Sequence, residues 1–142
     1  MRADLMEAID ALSAARRLEV WFGTWSLKDV IAHLATWHDA AALGLEQIAR
    51  GERPHLPGFE GDDDAYNAAA VARLEGESWE RLMAMLRAAR ERHDAAARGL
   101  VGAVPLERLE EGRATRRLLD LPATHGEEHI PAIFEWRRAE GL

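Results

Sequence analysis

The chain has 142 residues and a formal charge of −7, from 18 lysines and arginines against 25 aspartates and glutamates. This acidic balance argues against nucleic acid and against anionic membranes as partners, because both are bound by basic faces. The chain contains no cysteine, which excludes disulfides, thiolate metal ligands and a cysteine nucleophile. The length is typical of one domain, and we predict a single domain over residues 1–142.

No apolar run approaches the roughly 20 residues that a membrane-spanning helix needs. Three acidic residues, Asp4, Glu7 and Asp10, interrupt the apolar pattern of the first segment, which is therefore unlike a secretory signal. We expect a soluble, cytoplasmic protein.

Helix-forming residues dominate, and no stretch alternates between apolar and polar residues for long. The first predicted helix spans about residues 3–18, with Leu5, Ile9 and Leu12 on one stripe. Gly23 then marks a turn or helix end.

The second predicted helix has the clearest start. Ser26 and Asp29 have the spacing of a capping box, in which each side chain accepts a hydrogen bond from the other residue's backbone N–H. Trp25 before the cap and Val30 after it have the spacing of a hydrophobic staple. We predict that the helix continues to about residue 50, over about 35 Å, and that Gly51 ends it.

The next segment, 51–64, contains two prolines and three glycines and is predicted to be a loop. A short helix follows over about residues 64–74, and Gly76 interrupts it. Ser78 is placed to cap a third long helix. That helix is predicted to end at a group of helix-breaking residues: Gly99, Gly102 and Pro105.

We predict a polar connection over residues 103–114 and a last helix over about 115–140. Pro122 and Pro131 lie inside this helix, so we expect a kink or a fresh start near residue 122. Four long helices joined by short or moderate loops predict an all-α fold, a four-helix bundle with a short extra helix before the third long one.

The strongest candidate for a chemical site is the pair His125 and His129. Residues at i and i+4 lie on one helix face, so the two imidazoles can bind one divalent metal ion. His33, on the apolar stripe of the second helix, could supply a third ligand, because bundles hold metals between facing helices. Three histidines leave a coordination position open, as in catalytic metal sites. The alternative is that these histidines are hydrogen-bonded core residues.

The segment HGEEH, residues 125–129, also matches the inverted zincin pattern H-x-x-E-H, with Glu128 as the general base. The context argues against a peptidase, because such enzymes need a further acidic ligand well downstream and only Glu135 and Glu140 follow. Glu128 remains a candidate acid–base group beside a bound metal.

The other three histidines receive different interpretations. His38 lies about 140° around the helix from His33, and we expect it at the surface. His55 lies in the predicted loop and is expected to face solvent. His93 continues the apolar stripe of the third long helix and is expected to be buried and hydrogen-bonded. Asp29 could orient His33, although its capping role explains it sufficiently.

Five tryptophans are many for this length. Trp25, Trp37 and Trp136 fall next to the predicted metal elements. We favour core packing as their role, and the alternative is an aromatic wall around an apolar pocket. The three aspartates at 62–64 lack the spacing of a calcium-binding loop, so we interpret them as charge at a helix N-terminus.

Three segments resemble the DinB/YfiT-like superfamily. The segment WSLKDVIAHL, residues 25–34, resembles the W-S-x-K-D-x-x-x-H-L signature at the start of its second helix. The segment HGEEHIPAI, residues 125–133, resembles H-x-x-x-H-I-P-x-I in its last helix. The segment DAYN, residues 64–67, is similar to D-x-x-N in the branch that includes colibactin self-resistance proteins. The resemblance covers about residues 20–140.

The resemblance implies a four-helix bundle, often dimeric, that binds zinc or nickel through His33, His125 and His129. Characterised relatives include thiol-dependent S-transferases and isomerases that use low-molecular-weight thiols such as mycothiol or bacillithiol. The self-resistance branch instead binds or hydrolyses a reactive toxin.

Three functions follow as hypotheses. The first is a metal-dependent thiol S-transferase or hydrolase that acts on an electrophilic small molecule, with Glu128 as acid–base group. The second is a non-catalytic self-resistance or stress module that binds a small molecule or toxin within the bundle. The third is a structural protein whose histidines fill the core.

Overall fold

The computed structural model describes residue 9, residues 11–104 and residues 113–141, and it leaves out the side chains at 113–114, 123–128 and 130. The described part of the chain is mostly helical, as predicted. In chain order its elements are α1 (Ala14–Arg17), β1 (Val20–Phe22), β2 (Trp25–Ser26), α2 (Leu27–Ala49), α3 (Asp63–Leu74), α4 (Trp79–Ala103) and α5 (Arg113–Ala139).

A small antiparallel hairpin precedes α2, and the sequence analysis did not predict it. Val20 pairs with Ser26 and Phe22 pairs with Trp25, with an irregularity between the two pairs. Gly23 has φ +67°, in the left-handed region that glycine adopts without steric cost, so the predicted turn is confirmed. The strands were missed because they are only three and two residues long.

The first predicted helix is wrong over its last residues. Ser13 has extended backbone angles, and its side chain accepts a hydrogen bond from the backbone N–H of Arg16. Ser13 therefore caps a separate short helix, α1, instead of lying within one that spans 3–18. Residues 3–8 and 10 of the predicted helix lie outside the described residues.

The start of α2 is built as predicted. Ser26 Oγ accepts from the backbone N–H of Asp29, and the Asp29 carboxylate accepts from the backbone N–H of Ser26, at 3.3 and 3.0 Å. The helix ends at Ala49, and Gly51 follows with φ +77°. Both ends of this 23-residue helix are thus determined by local residues.

The two following helices also begin close to their predicted residues. Asp62 caps α3, and Ser78 caps α4 through the backbone N–H of Arg81. Helix α4 continues to Ala103, so Gly99 does not end it. A glycine inside a helix costs only about 1 kcal/mol relative to alanine, and buried Leu100 anchors this last stretch of α4.

Helix α5 runs through Pro122 and Pro131 instead of restarting. Pro122 has no N–H, so the carbonyl of Leu118, four residues earlier, lacks its usual helical donor. The Nε2 of His93, on α4, lies 2.7 Å from that carbonyl oxygen and donates to it. The hydrogen bond from α4 thus replaces the one that Pro122 removes.

Helix α2 is the central element and contacts α4, α5 and α3, with α4 as its most extensive neighbour. One core cluster contains Ile31, Leu82 and fully buried Trp136, and a second contains Leu45 and Leu100. None of the described helices combines the length and apolar content that crossing a bilayer requires.

Candidate functional site

Two of the three histidines predicted as metal ligands lie against each other. His33 on α2 is buried and His129 on α5 is half-buried. Their rings meet edge to face with centroids 5.1 Å apart. The ring of Trp25 also packs against that of His33, with its centroid 5.1 Å away. The contact therefore joins residues 96 positions apart in the chain.

The two histidines line one large cavity of about 1000 Å³. Helices α2, α3 and α5 and the loop between α2 and α3 all contribute to its wall. Its apolar and aromatic lining is Trp25, Trp37, Pro54, Leu56, Phe59, Leu118 and Leu121. Its polar lining is His33, His55, Asp63, Asp64, Asn67, Arg116, Arg117, Asp120 and His129.

An aromatic cluster supports the wall on the α3 side, where Trp37 and Phe59 line the cavity and Tyr66 packs against both rings. The ring of Trp37 meets those of Phe59 and Tyr66 edge to face, at centroid distances of 5.9 and 4.8 Å. Trp37 Nε1–H donates to the Oδ1 of Asn67 on α3. Burial raises the pKa of Tyr66, so its phenol stays protonated at neutral pH. Trp25 and Trp37 thus line the cavity, as the alternative interpretation of the tryptophans expected. Trp136 is fully buried in the core.

The loop between α2 and α3 is held against the cavity by one side chain. Gln47 Nε2–H donates to the carbonyl of His55 at 3.1 Å, and the backbone N–H of His55 donates to Gln47 Oε1 at 2.8 Å. His55 is exposed, as expected, but it also lines the cavity. No local sequence pattern indicates this second property, because it depends on the contact with Gln47, eight residues away.

The charged side chains of the cavity occupy two elements. Asp63 and Asp64 lie in the first turn of α3, Arg116 and Arg117 lie near the start of α5, and Asp120 follows on α5. The interpretation of the aspartates as charge at a helix N-terminus agrees with this position and with the capping role of Asp62. The sequence analysis did not single out the two arginines.

Of the remaining histidines, His38 differs from its expectation. It is 1% exposed, and its Nδ1–H donates to the carbonyl of Leu34 at 2.6 Å. The surface prediction was wrong because α2 packs against four other described helices, so a position 140° from His33 is also covered. His93 is buried and hydrogen-bonded, as expected.

Asp29 acts as a cap. Its carboxylate contacts both the backbone N–H and the hydroxyl of Ser26, at 3.0 and 3.1 Å. These bonds account for the residue without a bond to His33.

The predicted ligand His125 and the predicted acid–base group Glu128 have side chains outside the described residues. Both positions belong to α5. Within the described side chains, no group of three histidine, aspartate or glutamate residues could hold a metal ion. The described part of the predicted centre is therefore the pair His33 and His129.

Comparisons of the chain with models of protein families, with curated proteins and with solved structures each find no match.

Proposed function

We propose that the cavity is the active site of a divalent-metal-dependent enzyme acting on an electrophilic small molecule, by hydrolysis or by transfer of a low-molecular-weight thiol. The observation that carries the proposal is the contact between His33 and His129, whose ring centroids lie 5.1 Å apart at the wall of a cavity of about 1000 Å³. Pockets with an apolar lining and a few convergent polar groups are the usual form of small-molecule sites.

The residues present fit a metal ion of the zinc or nickel type. Two imidazoles on one Zn²⁺ have ligand nitrogens at most about 4.2 Å apart, twice the usual Zn–N distance. Rings with centroids 5.1 Å apart can meet that limit. Imidazole is a borderline ligand that suits zinc and nickel. We propose His33, His125 and His129 as the ligand set.

A metal bound there would act as a Lewis acid that lowers the pKa of a bound water or thiol. The chain's own groups have separate tasks. Trp25, against the ring of His33, covers one side of the site and limits the access of bulk water. The proposed task of Glu128, one residue before His129, is to accept or return a proton beside the metal.

The assignment to the DinB/YfiT-like superfamily, the four-helix bundle and the homodimer belong to this proposal, as does a cytoplasmic location. The supporting observations are three. The capping box at the start of α2 coincides with the first motif. Asp64 and Asn67 of the middle motif line the cavity, and so does His129 of the last one.

A second candidate function is a binding module that sequesters a small molecule or toxin without reaction. The observation that favours it is the aromatic wall of Trp37 and Phe59, supported by Tyr66 behind it, which offers contact area to a ligand and needs no metal. The two candidates differ in one respect, since only the enzyme loses its function with a chelator.

The test is calorimetric titration of zinc into chelator-treated, tag-free protein. We expect one-to-one binding to the native chain and its loss in His33→Ala and in His129→Ala. His55→Ala is the matched control, because His55 lines the cavity but is not a proposed ligand. Unchanged zinc binding in both ligand variants would reject the site, and loss in all three would implicate the loop as well.

A further inference from the structure

We propose that the ligand of this cavity is an elongated, planar molecule with an anionic group at one end, which Arg116 and Arg117 bind. The inference rests on the proposed function in that it takes the cavity as the substrate site. It adds the charge, shape and orientation of the substrate, which the histidine contact alone does not define.

The two arginines lack a partner within the described chain. Both are exposed and both line the cavity. In contrast to Arg16, Arg50 and Arg92, neither forms an ion pair or hydrogen bond with a described residue. Arginine is the side chain best suited to carboxylate and phosphate groups, because its planar fork donates two parallel hydrogen bonds.

The sign of the ligand charge follows from comparing the acidic and the basic side chains that line the cavity. Asp63 and Asp64 are accounted for by α3, whose positive N-terminal end they complement. Asp120 on α5 also lines the cavity, and it is engaged in an interaction of its own. Arg116 lies in the first turn of α5, where the helix dipole opposes a positive charge. Helix stability therefore explains Asp63 and Asp64, and Asp120 has its own interaction, but neither reason applies to Arg116, so the unexplained positive charge favours an anion.

The length of the ligand follows from the position of these groups along α5. Arg117 and His129 lie twelve positions apart, which corresponds to about 18 Å of helix. A molecule that touches both ends of the cavity is thus several rings or a ring and a chain in length.

The planar shape of the ligand follows from the aromatic and apolar residues that line the rest of the cavity. Trp37 and Phe59 line the cavity, and Leu118 and Leu121 line it from α5. Aromatic side chains and leucines at one cavity suit a flat conjugated or aromatic molecule, through stacking, edge-to-face contact and burial of its apolar area.

The test compares three probes with one body and different charge: pyrenebutyrate, its neutral amide, and pyrenebutylammonium. Binding is followed by energy transfer from tryptophan to pyrene in chelator-treated protein. We expect the carboxylate to bind about tenfold more tightly than the amide, or about 1.4 kcal/mol, and the ammonium to bind most weakly. In Arg116→Gln/Arg117→Gln the carboxylate should bind no better than the amide.

Arg98→Gln is the matched control, because Arg98 is exposed on α4 and does not line the cavity. It should keep the preference for the carboxylate. Equal binding of carboxylate and amide to the native chain, tighter binding of the ammonium, or a preference that survives the double substitution would each overturn the proposal, as would no binding of any probe. Because the protein is free of metal, these results are independent of whether the histidines bind zinc.

Discussion

His93 on α4 donates a hydrogen bond to the carbonyl of Leu118 on α5, at 2.7 Å. Pro122 deprives this carbonyl of its helical donor, since residue 122 would otherwise supply the N–H. A buried histidine thus compensates for a proline on another helix, and it does so seven residues before the predicted ligand His125. The hydrogen bond ties the first half of α5 to the core.

The first prediction concerns this pair. His93→Leu should lower the free energy of unfolding by about 1–3 kcal/mol, because it leaves the Leu118 carbonyl without a donor. Adding Pro122→Ala should recover most of the loss, because alanine restores the N–H at residue 122. Urea unfolding of both single variants and the double variant measures the coupling. Strictly additive effects would contradict the explanation.

The second prediction concerns the close approach of α2 and α5. A Cβ on Gly44 would lie 2.7 Å from the Cδ1 of Leu118. Gly44→Leu should therefore destabilise the protein by about 1–3 kcal/mol through overpacking. Gly99→Leu is the matched control, because Gly99 is also helical and has open space around it. The control should be neutral or stabilising, by up to about 1 kcal/mol. Equal effects at the two positions would refute the packing argument.

The third prediction concerns pH. Arg92 on α4 donates two hydrogen bonds to the carboxylate of Glu46 on α2, at 2.9 and 2.7 Å, and a third to Asp39 at 2.8 Å. These bonds hold the pKa of Glu46 below its ordinary value. The stabilisation is complete above the unfolded pKa of glutamate, about 4.3, and is lost as pH falls through the lower folded pKa.

Arg92→Met should therefore lower the free energy of unfolding by about 1 kcal/mol at pH 7, the upper end for partly exposed pairs. The difference from the native chain should shrink as the pH falls below about 4. Thermal unfolding between pH 3 and pH 7 measures it, with Arg98→Met as the control for loss of an arginine from α4. A difference that is constant over this range would show that the ion pair is not its source.

The fourth prediction separates the two roles considered for Asp29. Asp29→Ala should cost about 1 kcal/mol of stability by removing half of the capping box. Zinc affinity should stay unchanged, because the Asp29 carboxylate is engaged by Ser26. Ser26→Ala should have a similar effect on stability. A tenfold weaker zinc affinity in Asp29→Ala alone would instead assign it to the orientation of His33.

The features that the sequence predicted correctly are the local ones. The capping box of Ser26 and Asp29 involves residues three positions apart, so the start of α2 needed no knowledge of the fold. The same holds for Ser78 and for Gly51. The prediction of the first helix was wrong for a local reason as well, because Ser13 caps a new short helix within an otherwise helical pattern.

The features that escaped prediction depend on contacts between distant segments. Burial of His38 requires knowing that other helices cover α2 on several sides, and the bond from His93 requires knowing which carbonyl of α5 lies opposite α4. The approach of His33 to His129 was expected through a family resemblance and the general behaviour of bundles, because no local pattern connects the two. The cavity role of Arg116 and Arg117 had no sequence signal that distinguishes them from other exposed arginines.

The most direct test of the metal site is the metal content of tag-free protein purified without a nickel column, measured by mass spectrometry. The account predicts about one zinc or nickel ion per chain, as a single centre with one open position requires, and its absence from His129→Ala. No metal in the native protein, even after reconstitution with zinc, would contradict it and would leave the cavity as a binding site for small molecules alone.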